Sequence, residues 1–375
     1  MPRIASTQLT PITAAILEGA GASQSHAAVV ADHLVGSNLV GHDSHGVLRL
    51  TQYCAAIDQG ELDPGARPSV SRECVAGAVL DGRRGFGQVV AKEAMQHAMD
   101  HARVAGVAAV TVRNCYHSGR LAVYAQMAAS QGMIGIVMVN AGGGGQSVTP
   151  FGGVARRLAT NPFAIAVPAD GEITPVLDIA TSMAPEGKVR DYHRRGAQLP
   201  EGWIVDAFGQ PSTDAADFYG PPAGALLPWG GAVGYKGFGL ALMIDIMAGA
   251  LSGAGCCGPD DTPPRDGILL LAIDVEQFVS LAAFHRQVAQ LIQHIKSCPA
   301  APGFDEVFIP GELEHREAAR RQATGILVDD ATWSDLRSLT TKYRIDPSIL
   351  EVPSFATAGS AASLLNGATG SAAGK

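Results

Sequence analysis

Apolar side chains recur at helical spacing through the first seventy residues; after Cys74 they gather into short β-branched runs separated by helical stretches. Thr10 followed by Pro11 reads as an N-cap with proline at the first helical position. Ser23 reads as a second cap, opening an Ala/Val/Leu-rich helix that reaches about Leu39. Val47, Leu50, Cys54 and Ile57 continue the helical spacing until Gly60. Beyond Cys74 the pattern predicts a short strand ending at Asp81, an amphipathic helix over 87–105, a strand over 107–112, a helix over 121–130 and a strand over 133–139. Apolar runs at 163–167 and 175–179 precede Gly- and Pro-rich connections that last to Pro228. A buried helix over 236–251, a buried strand over 268–275 and largely helical sequence to Tyr343 follow.

These elements predict an α/β (α+β) protein, with an α/β core over 73–275 and a helical lobe that residues 1–72 share with 276–350. The small-residue stretch 354–375 has little to pack and reads as a disordered tail. Composition supports a large core, since 47% of the 375 residues are hydrophobic and 17% charged. The net charge of −8, without any Lys/Arg run, argues against a nucleic-acid surface and for a small-molecule partner. Six cysteines, at 54, 74, 115, 256, 257 and 298, lack zinc-type pairing, and free thiols in a reducing cytoplasm are expected. The opening residues lack the basic and apolar regions of a secretory signal. The stretch 237–254 carries Asp245 and several glycines, so it reads as a core helix and not as a membrane span.

Chemistry concentrates at Ser44, His45 and Arg49. If a helix starts near Ser44, with that serine as N-cap, His45 and Arg49 share one face at i and i+4. Imidazole exchanges protons near neutral pH, and guanidinium offers a planar fork for a carboxylate, a pairing that suits a 2-oxo or 2-hydroxy acid. Other motifs mislead. Gly253, Gly255 and Gly258 match the spacing of a dinucleotide loop, but the stretch follows a helix and runs into proline-rich sequence where no helix can open. The strand before the glycines of 140–145 has the wrong spacing, and Pro150 follows closely. A nucleophile elbow at Ser44 would need glycine where His42 stands. His42 with His45, and His97 with His101, lack a clear third ligand, so no metal is expected.

Further blocks follow in order: Asn114 to Leu121, Ala159 to Pro162, Leu177 to Ser182, Gly187 with Lys188, Gly234 to Leu240, and Pro310 to Glu312. With residues 43–49 in front, they resemble the malate/L-lactate dehydrogenase family, which lacks a Rossmann fold, from about Ser23 to Leu339. That family also includes reductases for 2,3-diketogulonate, sulfolactate, ureidoglycolate and cyclic imino acids. The resemblance implies a homodimer and a nicotinamide cofactor, NAD with NADP left open, held in an unusual sheet. It implies His45 as proton donor in reduction, Ser44 as its polar partner, Arg49 as carboxylate clamp, and Thr160 and His117 as substrate contacts. His117, Ser118, Gly119, Arg120, Leu121, Asp178, Ile179, Ala180, Lys188, Tyr235, Lys236, Gly311 and Glu312 match positions that line the cofactor.

The residues themselves leave some of these roles open. Thr160 and Asp178 also suit turns, and His117 could touch nicotinamide, assist proton transfer or hold its loop. Ser118, Gly119 and Arg120 replace the aromatic-Gly-Ala run of many members, as in the hydroxycarboxylate dehydrogenase branch. Arg120 is therefore a candidate for a cofactor phosphate or a second acidic group of the substrate, or else a solvated arginine. Members that reduce cyclic imines carry an acid near Lys188, so lysine there disfavours a ketimine reductase. The expected activity is interconversion of a 2-hydroxy acid and a 2-oxo acid. A cyclic ketimine reductase and a non-catalytic binding protein are the alternatives.

Overall fold

The computed structural model describes residues 1–143, 145–259 and 265–351; the 354–375 reading and part of the 140–145 glycine run lie outside them. Strand β1 (Arg3–Ile4) leads into helices α1 (Ser6–Gly19), α2 (Gln24–Leu39) and α3 (Leu50–Asp58). The hairpin β2 (Ser69–Cys74) and β3 (Gly77–Asp81) precedes α4 (Gly87–Ala105), β4 (Val107–Cys115), α5 (Ala122–Ala129) and β5 (Met133–Gly142). Next come β6 (Phe163–Ala166), β7 (Val176–Ile179), α6 (Glu186–Arg195), β8 (Ile204–Val205), β9 (Pro211–Ser212), α7 (Ala215–Tyr219) and β10 (Ala225–Leu226). The chain closes with α8 (Tyr235–Ile244), β11 (Arg265–Asp274), α9 (Leu281–Lys296), α10 (Glu312–Thr324), β12 (Ile326–Leu327) and α11 (Asp330–Lys342).

Seven strands form the main sheet in the order β2-β3-β4-β11-β5-β6-β7. Only β3 and β4 run parallel; the other five pairings are antiparallel. A parallel pair needs a crossover, and α4 supplies it, laying Val90, Ala94, Met95 and Ala98 on the sheet. A second cluster joins α1, α2 and α3 to β12 and α11 through Leu9, Ile16, Leu34, Leu50, Ile326 and Leu336. The pairing of β1 with β12 ties the two chain ends together. A third cluster, with Val189, Leu199, Ile204, Phe218 and Leu226, packs α6 and α7 around the small sheet β10-β8-β9.

Three local expectations are corrected. Thr10 does not cap a helix: α1 begins at Ser6 and Pro11 lies inside it. The carbonyl that loses its partner to proline belongs to exposed Thr7, which water can satisfy, while buried Leu9, Ile12 and Ile16 hold the stripe together. Ser44 does not cap a helix either. Residues Asp43–His45 and Val47–Arg49 form two 3₁₀ turns, broken at extended Gly46. The expected buried helix 236–251 becomes α8 followed by a π-helical segment, Asp245–Ala250, with Leu242, Met243, Ile246 and Leu251 exposed. The wider turn aims Asp245 inward, where it accepts from Asn140 Nδ2 (3.1 Å) and Cys257 N (2.9 Å). Ser23 does cap α2, accepting from His26 N, a contact worth about 1 kcal/mol.

Candidate active site

The turn over residues 43–49 is held from both ends of the chain. Asn38, near the end of α2, donates to Asp43 (2.6 Å) and accepts from Val47 N (2.9 Å), bracketing Gly46. A Cβ on Gly46 would stand 2.3 Å from Asn38 Oδ1, so only glycine fits the break. Arg321 on α10 reaches back to donate to both oxygens of Asp43 and to the Asn38 carbonyl. These bonds present Ser44, His45 and Arg49 together although no single helix carries them.

His45 Nδ1 lies 3.1 Å from Ser44 Oγ, and its ring stacks on His117 with centroids 5.6 Å apart. Arg49 donates from Nε to the Ser44 carbonyl and from Nη1 to Gln52 Oε1, each at 2.7 Å. Neither acceptor is a carboxylate. His117 Nδ1 is 2.7 Å from Tyr53 Oη, which accepts from Gln88 Nε2 at 2.6 Å. The tyrosine proton is then free to point at His117, leaving that ring neutral with its own proton on Nε2. Tyr53 and Gln88 are absent from the sequence reading. Their signals were there: Tyr53 stands four residues after Arg49, and Gln88 interrupts the apolar start of α4.

Burial, then the nearby charges of Arg49, His42 and Arg120, lowers His45 to about 3. Part of the ring remains accessible, so it lies in a cleft crowded enough to strip hydration from the charged form. His33 is also lowered to about 3, first by burial, and His117 falls well below its ordinary value for the same reason. All three imidazoles rest neutral. An acceptor of protons and a half-buried cation with no carboxylate among its hydrogen-bond partners therefore stand side by side.

Most of the chain is similar to known proteins. The family model described as malate/L-lactate dehydrogenase matches residues 4–337. A malate dehydrogenase of Pyrococcus abyssi is 36% identical over 351 residues, covering 92% of this chain and 95% of that one. The hydroxycarboxylate dehydrogenase B of Escherichia coli strain K12 is 35% identical over 327 residues, covering 85% and 88%. The solved sulfolactate dehydrogenase of Methanocaldococcus jannaschii superposes with a TM-score of 0.82 at 33% identity, over 93% of this chain and 99% of that one. The chain belongs to the malate/L-lactate dehydrogenase family.

Several of the positions expected to line a cofactor meet around Arg120. Arg120 is 8% exposed, donates from its backbone to His33 Nε2 (2.8 Å) and from Nη2 to Gln126 Oε1 (3.3 Å), and feels the charges of Asp178 and Glu314. It is no solvated surface arginine. Its buried Nε has no partner among the described residues. Asp178 Oδ2 accepts from Ala122 N (2.8 Å), tying β7 to the start of α5, and burial raises its carboxyl above the usual range. Gly119 has φ +74, and a Cβ there would stand 2.2 Å from His33 Nε2, so the loop needs glycine to lie against α2. Ser118 and Leu121 are buried, the Ser118 carbonyl accepting from Tyr124 Oη.

Other family-matched positions are placed differently. Ile179 and Ala180 continue from Asp178, partly exposed. The Thr160 carbonyl accepts from Thr181 N and Oγ1, both at 2.9 Å, and beside it buried Asn161, at φ 28, donates to the α8 carbonyl of Ala241 (3.0 Å). Tyr235 and Lys236 are exposed at the start of α8, where Tyr235 meets Phe151. Lys188 is exposed on α6. Gly311 packs against Val176, and the carboxylate of Glu312 is taken by Lys296, Arg316 and Ile309 N.

The neutral histidines predict acid sensitivity. Their folded values lie below the 6.5 of the unfolded chain, so their stabilisation is present above that pH and lost as pH falls towards 3. Asp266, pushed up to about 7 by burial, and Asp178 act in the opposite sense, because their native carboxyls keep protons that the unfolded chain has released. Three histidines against two carboxyls leave stability falling by roughly 1–3 kcal/mol per unit between pH 6 and 5. Urea unfolding at fixed protein concentration at pH 7, 6 and 5 reads this directly. A constant midpoint across that range would contradict it.

Proposed function

We propose that this chain is an NAD(P)-dependent 2-hydroxy acid dehydrogenase that runs also as a 2-oxo acid reductase. The observation that carries the reading is Arg49, a guanidinium surrounded by protein, with no carboxylate among its hydrogen-bond partners, beside the Ser44–His45 pair. Glu186 acts on this guanidinium through its charge without bonding to it, and a substrate carboxylate would meet it directly in bidentate geometry. That hold fixes which carbon lies beside His45.

The donor set around Arg120 fits a nicotinamide: an unpartnered guanidinium nitrogen, a carboxyl raised by burial and backbone held close by Gly119. Ser118, Gly119, Arg120, Leu121 and Asp178 would hold it, on a loop that follows β4 and lacks the Gly-x-Gly-x-x-Gly turn of a Rossmann site. When bound, this group supplies the hydride in reduction and receives it in oxidation. His45 handles the proton. In oxidation its neutral Nε2 takes the proton of the hydroxyl as the hydride leaves the same carbon. In reduction, the carboxylate on Arg49 stands beside His45 as a counter-charge that offsets the burial and repulsion disfavouring imidazolium, so His45 loads a proton and delivers it to the carbonyl oxygen. Ser44 keeps Nδ1 occupied, and Tyr53 holds His117 through its Nδ1, with that ring stacked on His45.

A homodimer belongs to this reading. Helix α9 buries none of its residues, and its Leu291 and Ile295 are exposed, as are Phe278 before the helix and Phe304 after it. Sedimentation at micromolar concentration is expected to give twice the chain mass; a monomer would remove the dimer from the proposal.

The deciding experiment follows nicotinamide absorbance with NADH and NADPH separately, against pyruvate, oxaloacetate, 2-oxoglutarate, phenylpyruvate and a cyclic imino acid. Turnover of one of the oxo acids is expected. Turnover of the imine alone would replace this reading with ketimine reduction.

A further inference from the structure

Three guanidiniums interact electrostatically with the site, and two have been accounted for. Arg120 feels Asp178 and Glu314, and Arg49 is free for the carboxylate beside the reacting carbon. The third is Arg190. The first turn of α6 presses on the proton-transfer pair: a Cβ on Gly187 would stand 3.2 Å from Ser44 Cβ and 3.9 Å from Arg190 Nη2. Ser44 and Arg190 thus flank one glycine that has no side chain to separate them. Buried Val189 and the Tyr192–Trp203 contact anchor the helix on its other side. Arg190 also acts on Arg49 through its charge, and Glu186 acts on it in the opposite sense. The carboxylate it pairs with, Glu186, is 3.5 Å away and shared with Tyr219 Oη at 2.9 Å. Two guanidiniums repelling each other under so loose a counter-ion are relieved by a ligand with negative charge at both ends. The positive end of the α6 dipole adds to that preference.

We propose that Arg190 reads a second acidic group at the far end of the substrate, so that the site takes 2-oxo acids bearing a distal carboxylate or sulfonate between Arg49 and Arg190. Arg120, the sequence candidate for that role, already has two carboxylates near it. This assignment rests on the oxo acid reductase reading above.

The test compares oxaloacetate with 2-oxobutyrate, in which a methyl replaces the distal carboxylate, in wild type, Arg190→Gln and Arg190→Lys. Wild type is expected to favour oxaloacetate in kcat/KM. Arg190→Gln should cut that ratio at least tenfold, mainly through the KM of oxaloacetate, and Arg190→Lys should recover part of it. An unchanged ratio in Arg190→Gln would overturn the assignment. A parallel titration of succinate and butyrate into wild type and Arg190→Gln, with nicotinamide cofactor present, needs no turnover. Tighter succinate binding that depends on Arg190 supports the proposal even if no oxo acid is reduced, which would sink the reductase reading alone. Equal discrimination in both proteins overturns Arg190 while leaving the reductase reading intact.

Discussion

Replacing His45 with alanine is expected to lower kcat for a 2-oxo acid by about 10³-fold, within the range that a positioned proton donor contributes. Cofactor affinity, read by fluorescence titration, should change little, because the side chain contacts Ser44 and His117 and makes none of the bonds that order the 118–122 loop. In the alcohol-oxidising direction the variant should also lose the acid limb of its pH profile, since no imidazole remains to be blocked by a proton. Near-normal rates with either direction of substrate would remove His45 from the proton-transfer role. The Asp43 clamp does not depend on the imidazole, so the variant should keep its fold.

Arg49→Lys is the second large effect. Lysine keeps the charge but loses the fork that bonds the Ser44 carbonyl and Gln52 while offering its remaining face to a carboxylate. Losing one charge-assisted pair and the orientation it imposes should raise KM for every oxo acid by about 10²-fold, with a smaller fall in kcat from poorer alignment. Because this clamp would grip the carboxylate common to all the acids, the loss should be similar for oxaloacetate and 2-oxobutyrate. That distinguishes it from Arg190, whose loss should fall on one of them. Unaltered acid binding in Arg49→Lys would sink the clamp.

Much of the fold is legible where local signals agree. Helix α4 begins and ends where expected, because its apolar stripe is continuous and Gly106, at φ 81, stops it. The strands β4, β5 and β11 start near the predicted positions, but their order is hidden. Strand β11 inserts between β4 and β5 from more than 120 residues away, a non-local pairing that local pattern cannot encode. Around the site, His45 and Arg49 are visible as residue types and as a family match, but not as a conformation. The helical spacing holds on both sides of Gly46, whose packing on Asn38 breaks the helix, and side-chain packing of that kind leaves no mark on the periodicity. Arg120 illustrates the same limit: its charge leaves a ligand contact and a solvated arginine equally open, whereas in the fold His33 and Gln126 bond it and Asp178 and Glu314 act on its charge.

The clamp on Asp43 has a consequence for biosynthesis. Ser44, His45 and Arg49 leave the ribosome early, yet Arg321, which fixes their turn, is made some 270 residues later. The turn therefore stays unfinished on the nascent chain until the C-terminal helices emerge. An incomplete polypeptide would carry His45 and Arg49 without the means to align them, so the proposed reductase activity is expected only once translation has passed α10.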